Sequence, residues 1–214
     1  MDNLYTVSLN LKGKPCVVIG GGKVSCRKIQ RLLACGAVVK VVAPSIEPQL
    51  EHYLEEHDLL TWIQRGYAGP KDLEGASLVF VATDDSALNE RIRLEANQLS
   101  ILVNVASNAH LGDFIVPATL SKGDLQISIS TGGKVPGLSK LIKETLEDQF
   151  IPEYKMLIEV LAQVRQAAIK DSVSKKENLI LLKEIVKDYD SILNDLTAGV
   201  SRDIVNQKLL NKLR

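Results

Sequence analysis

Residues 17–28 of the chain read VVIGGGKVSCRK. A β-branched run meets three glycines, and the glycines meet a lysine and a segment with helical spacing. Working outward, KPCVVIG (14–20) is a near-continuous apolar run ending at glycine, the pattern of a strand buried on both faces. Residues 23–35 place Val24, Ile29, Leu32 and Leu33 at helical spacing, and CGA at 35–37 supplies a helix stop. VVKVVAP (38–44) is then a second β-branched strand, closed by Pro44. Strand, helix and strand in that order make a βαβ unit.

The rhythm continues. Residues 46–57 read as a helix, LLTWIQ (59–64) as a third strand and ASLVFVATDD (76–85) as a fourth. A helix follows through ALNERIRLEANQ, and ILVNVAS (101–107) is a fifth strand. Strands alternating with helices predict an α/β, doubly wound parallel sheet covered on both faces. After residue ~112 the pattern changes. Residues 114–131 read as two antiparallel strands turning at Gly123, and Pro136 stands where a helix would begin. Further helices are expected over 152–170, 175–189 and 201–213. The expected division is 1–112, 113–150 and 151–214.

Bulk properties exclude several function classes. Of 214 residues, 26 are basic and 26 acidic, so a polyanion gains no general attraction and no nucleic-acid partner is expected. No apolar stretch reaches the length of a membrane span, and the N-terminal MDNLYTVSLNLKGK lacks a signal-peptide pattern. Cys16, Cys26 and Cys35 have no CxxC spacing, so three thiols buried in or near the first strand and helix are expected. These features point to a cytoplasmic protein without membrane association.

The glycine turn carries the first chemistry. Gly20-Gly21-Gly22-Lys23-Val24-Ser25 fits G-x-G-x-x-[G/A] with serine as the small third residue. The first glycine permits the tight turn and the second admits a pyrophosphate to the backbone. The third position lets helix and strand pack closely, and the helix N-terminus then faces the anion. The same residues also suit a plain tight bend. An acidic residue for the ribose hydroxyls would fall near Ala43-Pro44-Ser45; none is there, and Ser45 is the substitute. Thr83 and Asp84, at the end of the fourth strand, are candidates for the ribose or nicotinamide, while Asp85 or Ser86 suits a helix cap.

Two further segments carry more polar groups than connectors need. NVASNAHLGDF (104–114) presents Asn104, Ser107, Asn108, His110 and Asp113. STGGKVPGLSK (130–140) repeats the glycine-then-helix order, with Thr131, Gly132, Gly133 and Lys134 as an anion cradle and Lys140 and Lys143 as nearby positive charge.

These blocks, in unbroken order over residues ~8–150, resemble the precorrin-2 dehydrogenase family, the dehydrogenase/ferrochelatase component of siroheme synthases. The resemblance implies a Rossmann domain, a small β-rich dimerisation segment and a helical domain in a homodimer. It implies NAD-dependent removal of two hydrogens from precorrin-2, an octacarboxylate tetrapyrrole, to give sirohydrochlorin. The substrate's carboxylates would explain the cradle. Cofactor contacts then fall on Gly20–Val24, Ser45, Thr83, Asp84 and Asn104, and catalysis on Ser107, Asn108, His110 and Asp113.

One departure stands out. The family commonly carries an aspartate three residues after the asparagine of the fifth strand, and this chain has Ser107 there. Dehydrogenation is expected to persist; the alternative is a bifunctional dehydrogenase and ferrochelatase, for which His110 and Asp113 are the candidate ligands close together in sequence. Two other readings remain at this point. A non-catalytic NAD-binding regulatory module needs the Gly20–Gly22 turn and not the cradle, and a dehydrogenase for a small anionic metabolite calls for a tight pocket.

Overall fold

In the computed structural model, which describes residues 4–108, 110–170 and 175–213, five strands form one parallel sheet. They are β1 (Pro15–Ile19), β2 (Val38–Ala43), β3 (Leu60–Gln64), β4 (Leu78–Val81) and β5 (Leu102–Val105). Helices α1 (Lys23–Ala34), α2 (Pro48–Glu56) and α3 (Ser86–Gln98) interleave with them, and a 3-10 turn at Pro70–Asp72 precedes β4. The spatial order is β3-β2-β1-β4-β5. The chain winds outward from β1 through β2 to β3, then crosses to β4 on the other side. The strand order therefore reverses between β1 and β4, and this crevice at the carboxyl ends is where such sheets bind ligands.

Alternation along the buried strands sorts the two cores. Val18, Val39, Val41 and Phe80 pack with Ile29 and Leu32 of α1 and Leu50 of α2. Val17, Ile19, Val79, Val81, Val103 and Val105 face Ile92 and Ala96 of α3. Each fully buried valine or isoleucine contributes about 1.5–3 kcal/mol of transfer free energy. Almost continuous β-branched runs are what a sheet buried on both faces requires.

Two sequence expectations change here. β4 stops at Val81 rather than running to residue 85, because Asp85 is the N-cap of α3 and its carboxylate accepts from the Leu88 N–H at 3.0 Å. Cys16 and Cys26 are buried, but Cys35 is exposed where α1 ends.

The chain divides into two units, residues 1–116 with 132–134, and residues 117–131 with 135–214. In the second, β6 (Ala118–Lys122) pairs antiparallel with β7 (Leu125–Ile129), placing Leu120 opposite Ile127. Gly123 turns the hairpin at φ +61°. Pro136 opens α4 (Pro136–Glu147), as its missing N–H and fixed φ favour. Then α5 (Tyr154–Lys170), α6 (Lys175–Lys187), α7 (Tyr189–Thr197) and α8 (Arg202–Leu210) follow. Leu157, Val160, Val164, Ile185, Ile192, Leu196, Val205 and Leu209 form their shared core. The sequence pattern missed α7, which offers only Ile192, Leu193 and Leu196 as a short apolar stripe immediately after α6.

Candidate active site

Backbone hydrogen bonds stitch the carboxyl ends of the strands together. The Gly20 N–H donates to Val42 O at 3.0 Å, Ala82 N–H to Ile19 O at 2.9 Å and Ala106 N–H to Val81 O at 2.8 Å. The three glycines of the turn differ in what they must be. Gly20 has φ +115°, and a Cβ there would stand 2.3 Å from the Ala82 carbonyl oxygen. A Cβ on Gly21 would stand 2.0 Å from the Ser45 carbonyl oxygen. Around Gly22 nothing lies within 4 Å of that position. The first two glycines are demanded by the protein's own backbone, whereas the space over Gly22 is left open.

Gly22 is also the N-cap of α1, with no side-chain cap and no acidic residue in the first turn. The helix's own residues therefore leave its positive end uncapped. Ser25 is fully buried against the turn, and its hydroxyl has no hydrogen-bond partner among the described residues. A bare helix start, an open glycine and an orphaned buried hydroxyl fit a bound pyrophosphate.

The turn forms one wall of a cleft of about 790 Å³, within the size range of cofactor sites. Gly20, Gly21, Gly22, Lys23, Val24, Ser45, Thr83 and Asp84 all line it. The sequence reading missed Glu47, Gly66 and Tyr67, which line it too. Glu47 is the N-cap of α2, and its N–H donates to Gly21 O at 2.9 Å. An acidic residue does therefore reach the cleft beyond β2, four residues past the strand end. The signal was present in PSIEPQ, since Pro48 marks the helix start.

Tyr67 is set by its surroundings. Asp72 accepts from Arg65 at 2.8 and 2.6 Å and from the Ala68 N–H at 2.9 Å, which ties down the loop leaving β3. The Arg65 hydrogen bonds hold the Asp72 carboxyl below its ordinary range. The Tyr67 hydroxyl donates to Glu95, and burial, followed by that carboxylate, raises its pKa.

Opposite the turn, the Thr83 hydroxyl donates to Asn89 Oδ1 at 2.6 Å. Asn89 is buried and returns a bond from Nδ2 to the Thr83 carbonyl at 2.9 Å. The same amide lies 3.5 Å from the Ser107 Oγ. Asn89 is thus a support for two candidate residues, invisible in sequence because six and eighteen residues separate it from them.

Ser107, Asn108, His110 and Asp113 do not line the cleft. They occupy the loop leaving β5, where all four are exposed. Asn108 Oδ1 accepts from the His110 N–H at 3.0 Å. Asp113 Oδ2 accepts from the Val103 N–H at 2.9 Å, while the Asp113 N–H donates to Val103 O at 2.8 Å. Asn104 does not line the cleft either. It is buried behind it, accepting from Lys28 Nζ and donating to Phe114 O, each at 2.8 Å.

In the second glycine segment, Gly132 and Gly133 have φ +64° and +80°. The Thr131 hydroxyl accepts from the Val135 N–H at 3.1 Å and from Ser139 Oγ at 3.3 Å, so it shapes the approach to α4. Lys134 is exposed. Lys140 and Lys143 pair with Glu144 and Glu147 along the helix, so their charge is largely balanced locally. Among the described residues no three His, Cys, Asp or Glu side chains gather as a metal site, and no helix is long and apolar enough to cross a membrane.

Comparison with known proteins gives the same division of labour. Residues 7–118 match a family described as NAD(P)-binding, and residues 122–149 match the sirohaem biosynthesis protein central family. The chain is 35% identical over 185 residues to a precorrin-2 dehydrogenase of Priestia megaterium, covering 86% of this chain and 90% of that protein. It is 38% identical over 156 residues to a siroheme synthase of Stutzerimonas stutzeri, covering 73% of this chain and 33% of that protein. Among solved structures, SirC, a precorrin-2 dehydrogenase, superposes with a TM-score of 0.78 at 32% identity, over 97% of this chain and all of that one. With its cofactor-type cleft and the central segment in the same order, this chain belongs to the precorrin-2 dehydrogenase family.

Proposed function

We propose that this protein oxidises precorrin-2 to sirohydrochlorin, with NAD⁺ as hydride acceptor. The observation that carries the cofactor half is the open, uncapped start of α1 over Gly22, set at the reversal of strand order. The substrate half rests on family membership across both matched segments. In this reading Gly20–Val24 hold the pyrophosphate, Ser45 and Glu47 the adenosine ribose, and Thr83 and Asp84 the nicotinamide end. The carboxylate of Glu47 would repel a 2′-phosphate, which supports NAD over NADP.

Bound nicotinamide would supply a two-electron acceptor for a hydride from the tetrapyrrole, with one proton released. The protein's share is positioning. Thr131–Lys134 receive substrate carboxylates through backbone N–H groups and the Lys134 ammonium. Ser107 and Asn108 are neutral and serve to orient. His110 and Asp113 are the groups on that loop able to take the proton, and Asp113 is held by the hydrogen bond from the Val103 N–H. No metal ligands are assigned.

We place the protein in the cytoplasm, supported by its three free thiols and its nicotinamide chemistry. We read residues 1–112 as the cofactor domain, 113–150 as a dimerisation segment and 151–214 as a helical domain. The homodimer is supported by exposed apolar residues along one region of α4, Leu138, Leu141 and Ile142, continuing from Val135.

The test is anaerobic incubation with precorrin-2 and NAD⁺, following NADH and the sirohydrochlorin spectrum together. One NADH per sirohydrochlorin is expected, with Glu47→Lys shifting preference at least tenfold toward NADP⁺. Measurable NAD⁺ binding without NADH formation would overturn the enzymatic reading in favour of a regulatory module.

A further inference from the structure

The cleft and its loop do not account for Lys28. This lysine sits on α1, largely buried, with its ammonium 5.3 Å from the centre of the Phe80 ring. Burial, reinforced by the nearby charges of Arg27 and Arg31, pushes its pKa down to about 8. Burying an ammonium is costly, and an apolar side chain of similar length would fill the same volume without that cost. Its role is therefore best sought in what the Nζ touches.

It touches one side-chain amide. Lys28 Nζ donates to Asn104 Oδ1 at 2.8 Å, and Asn104 Nδ2 donates to the Phe114 carbonyl at 2.8 Å. An ammonium has only donors, so it accepts the Asn104 amide in one orientation and repels its flipped form. That orientation leaves Nδ2 facing Phe114 O. Phe114 is where the loop leaving β5 returns, and its ring stands edge-on to Phe80 at 5.4 Å. The return is close: a Cβ on Gly112 would stand 2.9 Å from Val103 O and 3.1 Å from Val105 N. With the paired Asp113–Val103 bonds, the segment leaving β5 is pinned back onto that strand at its return.

We propose that Lys28 is a positioning residue, which through Asn104 and the Phe114 carbonyl holds the loop carrying Ser107, Asn108 and His110 in its working conformation. The same helix begins at the cofactor turn, about 7.5 Å of helical rise from Lys28. Cofactor seat and loop are thereby fixed to one rigid element. The catalytic part of this inference rests on the function proposed above; the structural part does not.

The test compares wild type, Lys28→Met, Asn104→Leu and the double variant by NAD⁺ binding, steady-state kinetics with precorrin-2, and backbone hydrogen exchange. In Lys28→Met, NAD⁺ affinity stays within about twofold, kcat falls about tenfold with little change in KM, and amides of 103–114 exchange at least tenfold faster. The double variant loses no more than the worse single, as expected of residues acting as one unit. Unchanged kcat and exchange in a folded Lys28→Met, or losses that multiply, overturn the proposal. Asn104→Asp keeps a partner for Lys28 and removes the donor to Phe114, so it must loosen the loop even if Lys28→Met does not fold. Should wild type fail to turn over precorrin-2, the function reading fails while hydrogen exchange still decides the positioning role.

Discussion

Gly20 and Gly22 are two residues apart and answer to different demands. At Gly20 a side chain would meet the Ala82 carbonyl at 2.3 Å in a left-handed conformation, so Gly20→Ala forces backbone movement. A loss of about 2–4 kcal/mol of folding stability is expected in denaturant titration. At Gly22 nothing stands in the way, and an aspartate there is a preferred N-cap for α1. Gly22→Asp should therefore melt at or above the wild-type temperature while weakening NAD⁺ binding at least a hundredfold. A variant that loses stability along with binding would mean that the turn is structural. Both glycines and Ser25 were legible in sequence, because the rules that place them are local to one strand–turn–helix. Glu47 was not assigned to the cleft, since the expected site was the end of β2 and the chain instead supplies the acid from the cap of the next helix.

The elements themselves were read from periodicity, and their failures have local causes. The β-branched runs of β1, β2 and β4 stand out because strands buried on both faces carry few polar residues, whereas β3, LTWIQ at the sheet edge, is mixed and only partly buried. The missed α7 is nine residues long and abuts α6, so its stripe merges with its neighbour's. The link from α1 to β5 through Lys28 and Asn104 was out of reach, since 76 residues separate the pair. That link has a pH signature. Lys28 titrates near 8 when folded and near its ordinary 10.5 when unfolded, so between these values the unfolded chain binds the extra proton. The penalty for burying the charge is full below pH 8 and is relieved as pH rises, at up to about 1.4 kcal/mol per unit. Cys16, pushed up to about 11 by burial, acts in the opposite sense above pH 9. Between pH 8 and 9 the stability of wild type relative to Lys28→Met should therefore rise by about 1 kcal/mol, measured by paired urea titrations. Parallel curves would place Lys28 in solvent instead.

At the scale of the whole molecule, the chain divides into two units, and the proposed function assigns the cofactor to the first. The first was legible as a doubly wound domain, and the second only as a hairpin followed by helices, since its use is written on surfaces rather than in periodicity. Val135, Leu138 and Leu141 are each 45–59% exposed, and the proposed homodimer would cover them. Light scattering at micromolar concentration should give twice the 23.4 kDa chain mass, and Leu138→Glu with Leu141→Glu should give the monomer. A wild-type monomer at that concentration would contradict the dimer.

In the proposed function, the open turn at Gly22 seats the acceptor for precorrin-2 oxidation. The most direct measurement is NADH formed per sirohydrochlorin under anaerobic conditions, for wild type and for a Gly22→Asp variant shown to be folded. A ratio of one is expected for wild type, and no turnover for the variant at the same NAD⁺ concentration. Equal turnover by a folded Gly22→Asp protein, or sirohydrochlorin formed without NADH, would contradict it.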